Sequence, residues 1–370
     1  MITRRRSIVL AALLVSAAFR PAPLPAQSGG TDSRRAGPLG ARPDTALPDS
    51  LVRRRDRKRS VRVSGYVQVF YKGRREASGD GITEPGVFRD QRVRISFDGK
   101  VNKHVGYDVE IDPRAPEITG VLRDAFITLD YVPRHEIRVG QQKTTFGWEN
   151  SISSSKLFFV NRAELSDNLS RGINLRDIGL GLEGSLPLSR RFRLEDAVTL
   201  VNGAGSNVQA DNTSRKNLWG RVGLRYRDSS LTVRVGASGA SGDQFEAADP
   251  GPPPQDAVTL EFTRFGTDIQ IDHRLAFVSA EYVSSSDKVV DSGDPSERRA
   301  GYFGLLAVKT RWHAGPVFRY DVLEDFNRVT AGAYVGLPAN DVSLLLNYEV
   351  FRDDLGKHDD RYYARLQVRF

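Results

Sequence analysis

Residues 218–238, LWGRVGLRYRDSSLTVRVGAS, contain two stretches of alternation separated by a short polar turn. In each stretch apolar residues alternate with arginines and with small or polar residues. Because successive side chains of a β-strand point to opposite faces, each stretch has one apolar face and one charged or small face. A helix would scatter the same arginines around its circumference. The segment therefore predicts two antiparallel strands joined by a tight turn at Asp228 and Ser229.

The same period-two pattern recurs over residues 61–370. Alternation alone also fits a soluble sheet with one solvent-exposed face. The lengths of the connections between strands distinguish the two folds. Short ones such as 132–135 alternate with long ones such as 203–217, which is typical of an outer-membrane barrel with an even strand count. Strands of about 9 to 11 residues fit a tilted crossing of the hydrocarbon layer. We predict an all-β fold, a transmembrane antiparallel β-barrel of about 16 strands.

The predicted strands share this alternation, which is least regular around Arg264 and Phe303. They are Val61–Phe70, Val87–Asp98, Val105–Asp112, Leu122–Tyr131, Glu136–Lys143, Arg176–Leu186, Phe192–Asn202, Leu218–Arg227, Ser230–Ser238, Thr259–Gln270, Leu275–Ser284, Ala300–Thr310, Ala314–Val322, Asn327–Gly336, Val342–Phe351 and Arg361–Phe370.

The N-terminus has the order of a secretory signal. Three arginines at 4–6 precede the uncharged run 7–19, and small residues follow up to Ala26. The apolar run is shorter than the roughly 20 residues that a spanning helix needs. We predict a signal peptide over residues 1–26. Residues 27–60 have too few apolar side chains to offset chain entropy, which predicts a disordered periplasmic leader.

The C-terminal segment Tyr362–Phe370 has an unbroken lipid-compatible face and ends on an aromatic residue. The opposite face carries Arg361, Arg365 and Arg369. This resembles the terminal-strand signature by which outer-membrane proteins are recognised for assembly. We expect this segment to close the barrel and to bind the barrel-assembly machinery.

The basic composition does not indicate a nucleic-acid partner. Four arginines in residues 1–26, and nine bases against four acids in residues 27–60, contribute more than the whole formal charge of +8 and leave residues 61–370 at −1. The chain has no cysteine, which excludes disulfides, thiolate metal sites and cysteine nucleophiles. No two of the five histidines stand at metal-ligand spacing, and no nucleophile motif occurs. We expect neither an enzyme nor a metal or other cofactor.

A barrel of sixteen strands leaves an aqueous channel, so its inward side chains decide what passes. The alternation predicts basic inward residues and acidic ones in nearly equal number, with acids on the third and fourth strands and bases on the eighth, ninth and sixteenth. Charge count alone therefore does not establish anion selectivity. The predicted basic lumen residues are Arg92, Arg94, Arg138, Arg221, Arg225, Arg234, Arg319, Arg365 and Arg369, and the acidic ones are Asp98, Asp108, Glu110, Asp112, Asp124, Asp177, Glu195 and Glu349.

The longest predicted connection, residues 144–175, contains Phe158 and Phe159 in an apolar stretch, with a helical turn expected up to Leu169. An exposed loop has little use for adjacent phenylalanines, so we predict that this loop folds into the lumen as a constriction. Rings of basic side chains in such a constriction favour the passage of anions. An outer loop packed over the rim or against a neighbouring subunit is the alternative. The basic residues of this loop are Lys156, Arg162 and Arg171.

Several motifs together resemble the phosphate-selective porin O and P family, most strongly over residues 61–186. They are GYVQVFY (65–71), FRDQRVRISFDG (88–99), YDVEID (107–112), LRDAFITLDY (122–131), VGQQKTTFGWE (139–149), NRAE (161–164) and RDIGLGLEG (176–184).

The resemblance implies a trimer of 16-stranded barrels whose inward third loop carries basic residues that select phosphate or related anions. Lys143 stands in the family's Gly-Gln-x-Lys element, Arg162 in its Arg-Ala element, and Arg176 in its Arg-Asp-x-Gly element. The sequence departs from the family at Thr145, where proline is usual before Phe-Gly.

These observations predict a passive porin of the bacterial outer membrane that prefers small anions, with phosphate as the family's expectation. A general diffusion porin with weak selectivity is the second hypothesis. An outer-membrane hydrolase is the third, because a Ser-His-Asp site is defined by geometry and not by chain order. The predicted constriction residues are Lys143, Lys156, Arg162, Arg171 and Arg176.

Overall fold

The computed structural model describes residues 60–76, 83–115, 120–170, 175–208, 215–246, 257–290, 295–324, 326–336, 341–352 and 358–370. Within them, sixteen strands pair antiparallel in chain order, and the first strand pairs with the last, so that the sheet closes into a barrel. The predicted sixteen-strand antiparallel barrel is confirmed.

The strands are β1 (Ser60–Glu76), β2 (Thr83–Lys100), β3 (Val105–Ile111), β4 (Leu122–Leu129), β5 (His135–Lys143), β6 (Arg176–Pro187), β7 (Phe192–Val201), β8 (Asn217–Arg227), β9 (Leu231–Glu246), β10 (Val258–His273), β11 (Ala276–Val289), β12 (Glu297–Val308), β13 (Ala314–Leu323), β14 (Phe326–Val335), β15 (Val342–Arg352) and β16 (His358–Arg369).

The described helical segments are short and lie between β5 and β6. They are α1 (Trp148–Ser151), the 3-10 turn η1 (Ser154–Lys156) and α2 (Glu164–Asn168). In the described ranges, no helix is long and apolar enough to cross a bilayer. The predicted signal peptide and residues 27–59 of the predicted leader lie outside the described residues.

Several strands extend beyond their predicted ends. β1 continues to Glu76, β9 to Glu246 and β11 to Val289, so the connections after them are shorter than predicted. Glu246, for example, pairs with Val258 of β10. Backbone pairing needs no apolar side chains, whereas the alternation in the sequence marks only the part of a strand with one apolar face. The pattern therefore located every strand and underestimated the long ones.

The alternation of burial does not slip in the stretch where the sequence pattern is irregular. Phe262 and Phe303 are buried, while their neighbours Phe265 and Tyr302 are exposed on the other face. The charged residue Arg264 shares the buried face with Phe262. The irregularity therefore reflects apolar side chains on the inward face, where a water-filled barrel would have polar ones.

The closure joins β1 to the chain end. The backbones of Gly65 and Phe370 exchange hydrogen bonds of 2.9 and 3.1 Å. A Cβ at Gly65 would lie 2.8 Å from the Phe370 ring and 2.2 Å from the Arg94 carbonyl oxygen, so only glycine fits there. Leu366 and Val368 are exposed on the outer face, as the apolar face of the closing segment predicts.

Candidate pore constriction

Residues 144–170 leave the wall at the end of β5 and cross to other strands. The Thr144 N–H donates to the Leu175 carbonyl at 3.1 Å, which extends the antiparallel pairing of β5 and β6 by one residue. The Thr145 N–H donates to Thr199 Oγ1 of β7 at 3.4 Å. Proline has no N–H to donate, so threonine at this departure from the family pattern allows a contact that proline cannot make.

An apolar cluster continues the path of the segment. Phe146 meets Trp219 of β8 edge to face at a centroid distance of 6.0 Å, a favoured aromatic geometry. Further along the segment, Ala163, Leu165 and Leu169 are buried in the same cluster. Its wall members, from β7 to β13, are Val201, Trp219, Ala240, Phe262, Val283, Phe303 and Leu323.

A buried carboxylate from β11 holds the start of α1. Glu281 Oε2 accepts hydrogen bonds of 3.1 Å from the N–H groups of Trp148 and Glu149. The Gly147 N–H donates to Ser238 Oγ of β9 at 3.0 Å. Gly147 has φ of 66°, and a Cβ there would lie 2.1 Å from Glu281 Oε1. Only glycine allows this close approach without strain.

Buried charges from β13 and β14 meet the middle of the segment. Asp321 Oδ2 accepts from Arg319 Nε at 3.1 Å and from Arg328 Nε at 3.0 Å. A terminal guanidinium nitrogen of each arginine donates to a main-chain carbonyl of the segment. Arg319 Nη1 donates to Asn161 at 2.8 Å and Arg328 Nη2 to Arg162 at 2.5 Å. Fixed geometry and carbonyl partners compensate part of the desolvation of these charges.

Carboxylates of the same charge cluster come from both the segment and the wall. Glu149 lies 3.8 Å from Arg319, and Glu349 of β15 lies 3.5 Å from Arg328. Glu164 of α2 pairs with Arg328 at 2.8 Å. Burial raises the pKa of Glu164 above its usual range, and Arg328 opposes that rise.

A second apolar cluster contains the adjacent phenylalanines. Phe158 lies 5.6 Å from Phe277 of β11 and 5.3 Å from Tyr334 of β14, measured between ring centroids. Phe159 lies under the Arg319 guanidinium at 4.8 Å. The buried members of this cluster are Phe70, Phe159, Val160, Ala307, Val317, Tyr334 and Leu345.

A basic group lies where β16, β1 and β2 meet. Arg365 is fully buried and donates to the carbonyls of Ser154 and Leu157 at 3.0 and 3.3 Å. Arg92 is half-buried, donates to Gln68 Oε1 at 3.0 Å and lies 5.6 Å from the Phe70 ring centroid. Among the side chains that the structure describes, neither arginine has a carboxylate partner.

On β2 to β6, by contrast, arginines pair with carboxylates along the wall. Arg94 meets Asp112 at 2.9 Å, and Arg176 meets Asp124 at 2.7 Å. Glu110 lies between them, 3.7 Å from Arg94 and 3.3 Å from Arg176. Most of the positive charge predicted for this wall is therefore compensated locally.

Other predicted lumen residues follow the same rule. Arg138 pairs with Glu183 at 2.7 Å and with Glu136 at 3.1 Å. Arg221 pairs with Asp268 at 2.6 Å. Arg225 and Arg234 share Glu195 at 3.1 and 3.7 Å. For Arg369 the structure gives a half-buried position opposite Tyr66 in the β1–β16 register.

The predicted constriction residues fall in different places. Lys143 and Arg176 are directly opposed in the β5–β6 pairing and share the acids of β3 and β4. Arg162 donates to carbonyls inside the segment, at Glu149 and at Ile152, and its own carbonyl faces β14. Lys156 ends η1 and is half-buried. Arg171 lies outside the described residues.

Sequence reasoning missed the side chains that receive the segment, notably Glu281, Asp321 and Arg328. Period-two counting along β14 puts Arg328 on the same face as Tyr334 and could have found it. No local signal marks which segment such a residue contacts, because the partners lie more than 100 positions away. Among the described residues, no three His, Cys, Asp or Glu side chains are placed so that they could hold a metal ion.

The closed barrel and its inward charged side chains define a porin of the bacterial outer membrane. Residues 61–221 match the family described as phosphate-selective porin O and P. Over those residues the chain has that family's sequence pattern, and the resemblance seen in the sequence is confirmed. No curated protein matches the chain.

Solved structures share the fold at low sequence identity. An anion-selective porin from Comamonas acidovorans superposes with a TM-score of 0.58 at 12% identity, covering 85% of this chain and 100% of that one. OmpT, an outer membrane protein of Vibrio cholerae, gives 0.54 at 12% identity, with 85% and 100% covered. The outer membrane channel DcaP of Acinetobacter baumannii gives 0.52 at 14% identity, with 84% and 97% covered. At these identities the likeness establishes the fold alone.

Proposed function

We propose that the protein is an anion-preferring porin in which residues 144–170 narrow the lumen and Arg92 with Arg365 supply the selecting charge. The observation that carries the proposal is the basic group at β16, β1 and β2, whose two arginines have no carboxylate partner among the described side chains. A positive charge that is not compensated by a neighbouring acid raises the local concentration of anions in a narrow, poorly solvated neck.

The position of this group supports the proposal. Arg365 contacts the segment at Ser154 and Leu157, so its buried charge lies directly behind the proposed constriction. Arg92 is less buried and stands beside it, which makes Arg92 the residue that passing ions meet. Small anions, including phosphate, are the proposed solutes, and the family resemblance leads us to propose a homotrimer.

A general diffusion porin with weak selectivity is the second candidate. It is favoured by the pairing of Arg94, Arg138 and Arg176 with carboxylates, which cancels much of the wall's positive charge. The two candidates differ in whether the uncompensated charge of Arg92 and Arg365 dominates the ion path.

The test is the reversal potential of single channels in a planar bilayer under a KCl gradient. We expect the sign of an anion preference and a decrease of chloride current when phosphate is added. An unselective or cation-preferring channel would reject the anion preference. If phosphate leaves the chloride current unchanged, phosphate is not a solute of this pore.

Variants that remove or reverse single charges test which residues produce the anion preference. Arg92→Gln is expected to move the reversal potential towards zero, whereas Arg311→Gln, at an exposed turn, should leave it near its original value because exposed charges are screened by salt. Lys143→Glu combined with Arg162→Glu tests the residues that the family resemblance suggested. If only that double change abolishes the preference, the filter lies at Lys143 and Arg162 and not at Arg92.

A further inference from the structure

The last strand of the barrel holds the segment through two fully buried side chains. Arg365 donates from its two terminal nitrogens to the carbonyls of Ser154 and Leu157, at 3.0 and 3.3 Å. Gln367, two residues on and on the same face, donates to the Ser155 carbonyl at 3.1 Å. Three main-chain oxygens around η1 are therefore bound by one strand.

The contact extends across the closure of the barrel. Gln68 of β1 donates to Gln367 Oε1 at 2.6 Å, which orients the amide that reaches Ser155. The hydroxyls of Tyr66 and Ser154 are hydrogen-bonded at 3.0 Å. β1 and β16 are the two strands whose pairing closes the sheet. The binding groups thus come from both sides of the closure.

The chemistry of Arg365 suits it to position backbone. Its guanidinium is planar and offers donors in a fixed fork, so two bonds set both the distance and the orientation of what it binds. Among the described side chains it has no carboxylate partner, and carbonyl dipoles take that place. The carbonyls at the end of a helical turn have no partner within the turn and need one from outside.

We propose that Arg365 and Gln367 act as a clamp, meaning that they position residues 154–157 from the closing strand and so set the width of the pore at its constriction. The proposal rests on the proposed function in one respect, namely that this segment is the constriction. It adds that residues 154–157 are held from both sides of the closure, where β1 and β16 pair. Arg365 is a positioning residue in this role, besides any effect of its charge on ions.

The experiment uses the absence of cysteine from the chain. Ser155 is buried at η1, so Ser155→Cys places one thiol beneath the clamp. Methyl methanethiosulfonate is the probe, because it is neutral and its approach does not depend on the charge that the variants remove. The measured quantity is the second-order rate of thiol modification in the full-length protein in lipid vesicles.

Adding Arg365→Met to Ser155→Cys is expected to speed modification by about tenfold or more, the scale of losing hydrogen bonds to a charged group. Gln367→Leu should give a smaller increase, since it removes a single neutral donor to the segment. Arg365→Lys should be intermediate, because lysine keeps the charge and loses the two-bond geometry. Arg138→Met is the matched control, since it also removes an inward arginine and its partners are carboxylates of its own wall.

The clamp is rejected if Arg365→Met and Gln367→Leu both react at the parent rate, or if Arg138→Met accelerates the reaction equally. Heat-dependent gel mobility shows whether each variant has closed its barrel, and if Arg365→Met has not, Gln367→Leu decides. Conductance and reversal potential separate the two proposals. A faster reaction with unchanged conductance and reversal potential shows that Arg365 and Gln367 position residues 154–157, and it rejects both their effect on pore width and the constriction itself. A lost anion preference with an unchanged reaction rate does the reverse.

Discussion

The inward charged side chains have different partners in two parts of the barrel wall. On β11–β16 and β1, the loop-bearing wall, inward side chains such as Glu281, Arg328 and Arg365 end on the main chain of residues 144–170. On β2–β6, the charged wall, Arg94 and Arg176 end on carboxylates of neighbouring strands. Both walls have the same period-two alternation of side chains, so the alternation does not determine the partner of an inward charged side chain.

The same barrel therefore has one wall that fixes a loop and another whose charges pair with one another. The loop-bearing wall buries aromatic side chains such as Phe303 and Tyr334 on the inward face, which would be costly against water. The charged side chains of this wall are deeply buried, and hydrogen bonds or opposite charges are needed to offset their desolvation. On the charged wall Arg94 and Arg176 are buried too, but the Arg138–Glu183 pair keeps about a fifth of each side chain exposed. Ion pairs that reach solvent contribute little to stability.

Removing a buried charge from the loop-bearing wall should destabilise the barrel more than any other change considered. Arg319→Met leaves the carboxylates of Asp321 and Glu349, both fully buried, without this cation, and we expect a loss of about 3–5 kcal/mol in the free energy of unfolding. Arg138→Met on the charged wall should cost about 1 kcal/mol or less. Urea unfolding of the refolded barrel, followed by tryptophan fluorescence, measures both. Equal losses would remove the distinction between the two walls.

A smaller effect is expected from a single methyl group at the start of α1. Gly147→Ala must accommodate a Cβ at 2.1 Å from the Glu281 carboxylate and a φ of 66°, so we expect a loss of about 1–3 kcal/mol and a displaced segment. Gly304→Ala is the control, because a Cβ there would have no atom within 4 Å. Thermal unfolding in detergent compares the two. A Gly147→Ala variant as stable as Gly304→Ala would show that the segment is not held at Glu281.

The smallest effect concerns pH. Because burial raises the pKa of Glu164 above its usual range, the folded protein binds a proton there before the unfolded chain does. Its charged form therefore costs stability at neutral pH, and that cost disappears as pH falls from the raised pKa towards the ordinary value. Wild type should gain stability relative to Glu164→Gln over this acidic window. The difference in unfolding free energy between the two proteins, measured from pH 7 downwards, tests this, and a difference independent of pH would contradict it.

The number and order of the strands, their two faces and the closing segment could all be predicted from the sequence. These properties follow from local rules, because the faces of a strand alternate with period two and short turns force neighbours to pair. Even the strands with irregular alternation were located correctly. The inward aromatics Phe262 and Phe303 were visible as exceptions to the pattern, although their meaning was not.

The sequence does not predict which inward side chains hold residues 144–170 and which pair with one another, because both depend on contacts across the barrel. Asn161 and Glu349, for example, are 188 positions apart and lie 3.2 Å from each other. Such a contact depends on the register of all the strands between them and on the path of the segment, and no local pattern encodes either. For the same reason the sequence could name Arg365 as an inward residue of the last strand, whereas its two carbonyl partners appear only in the closed barrel.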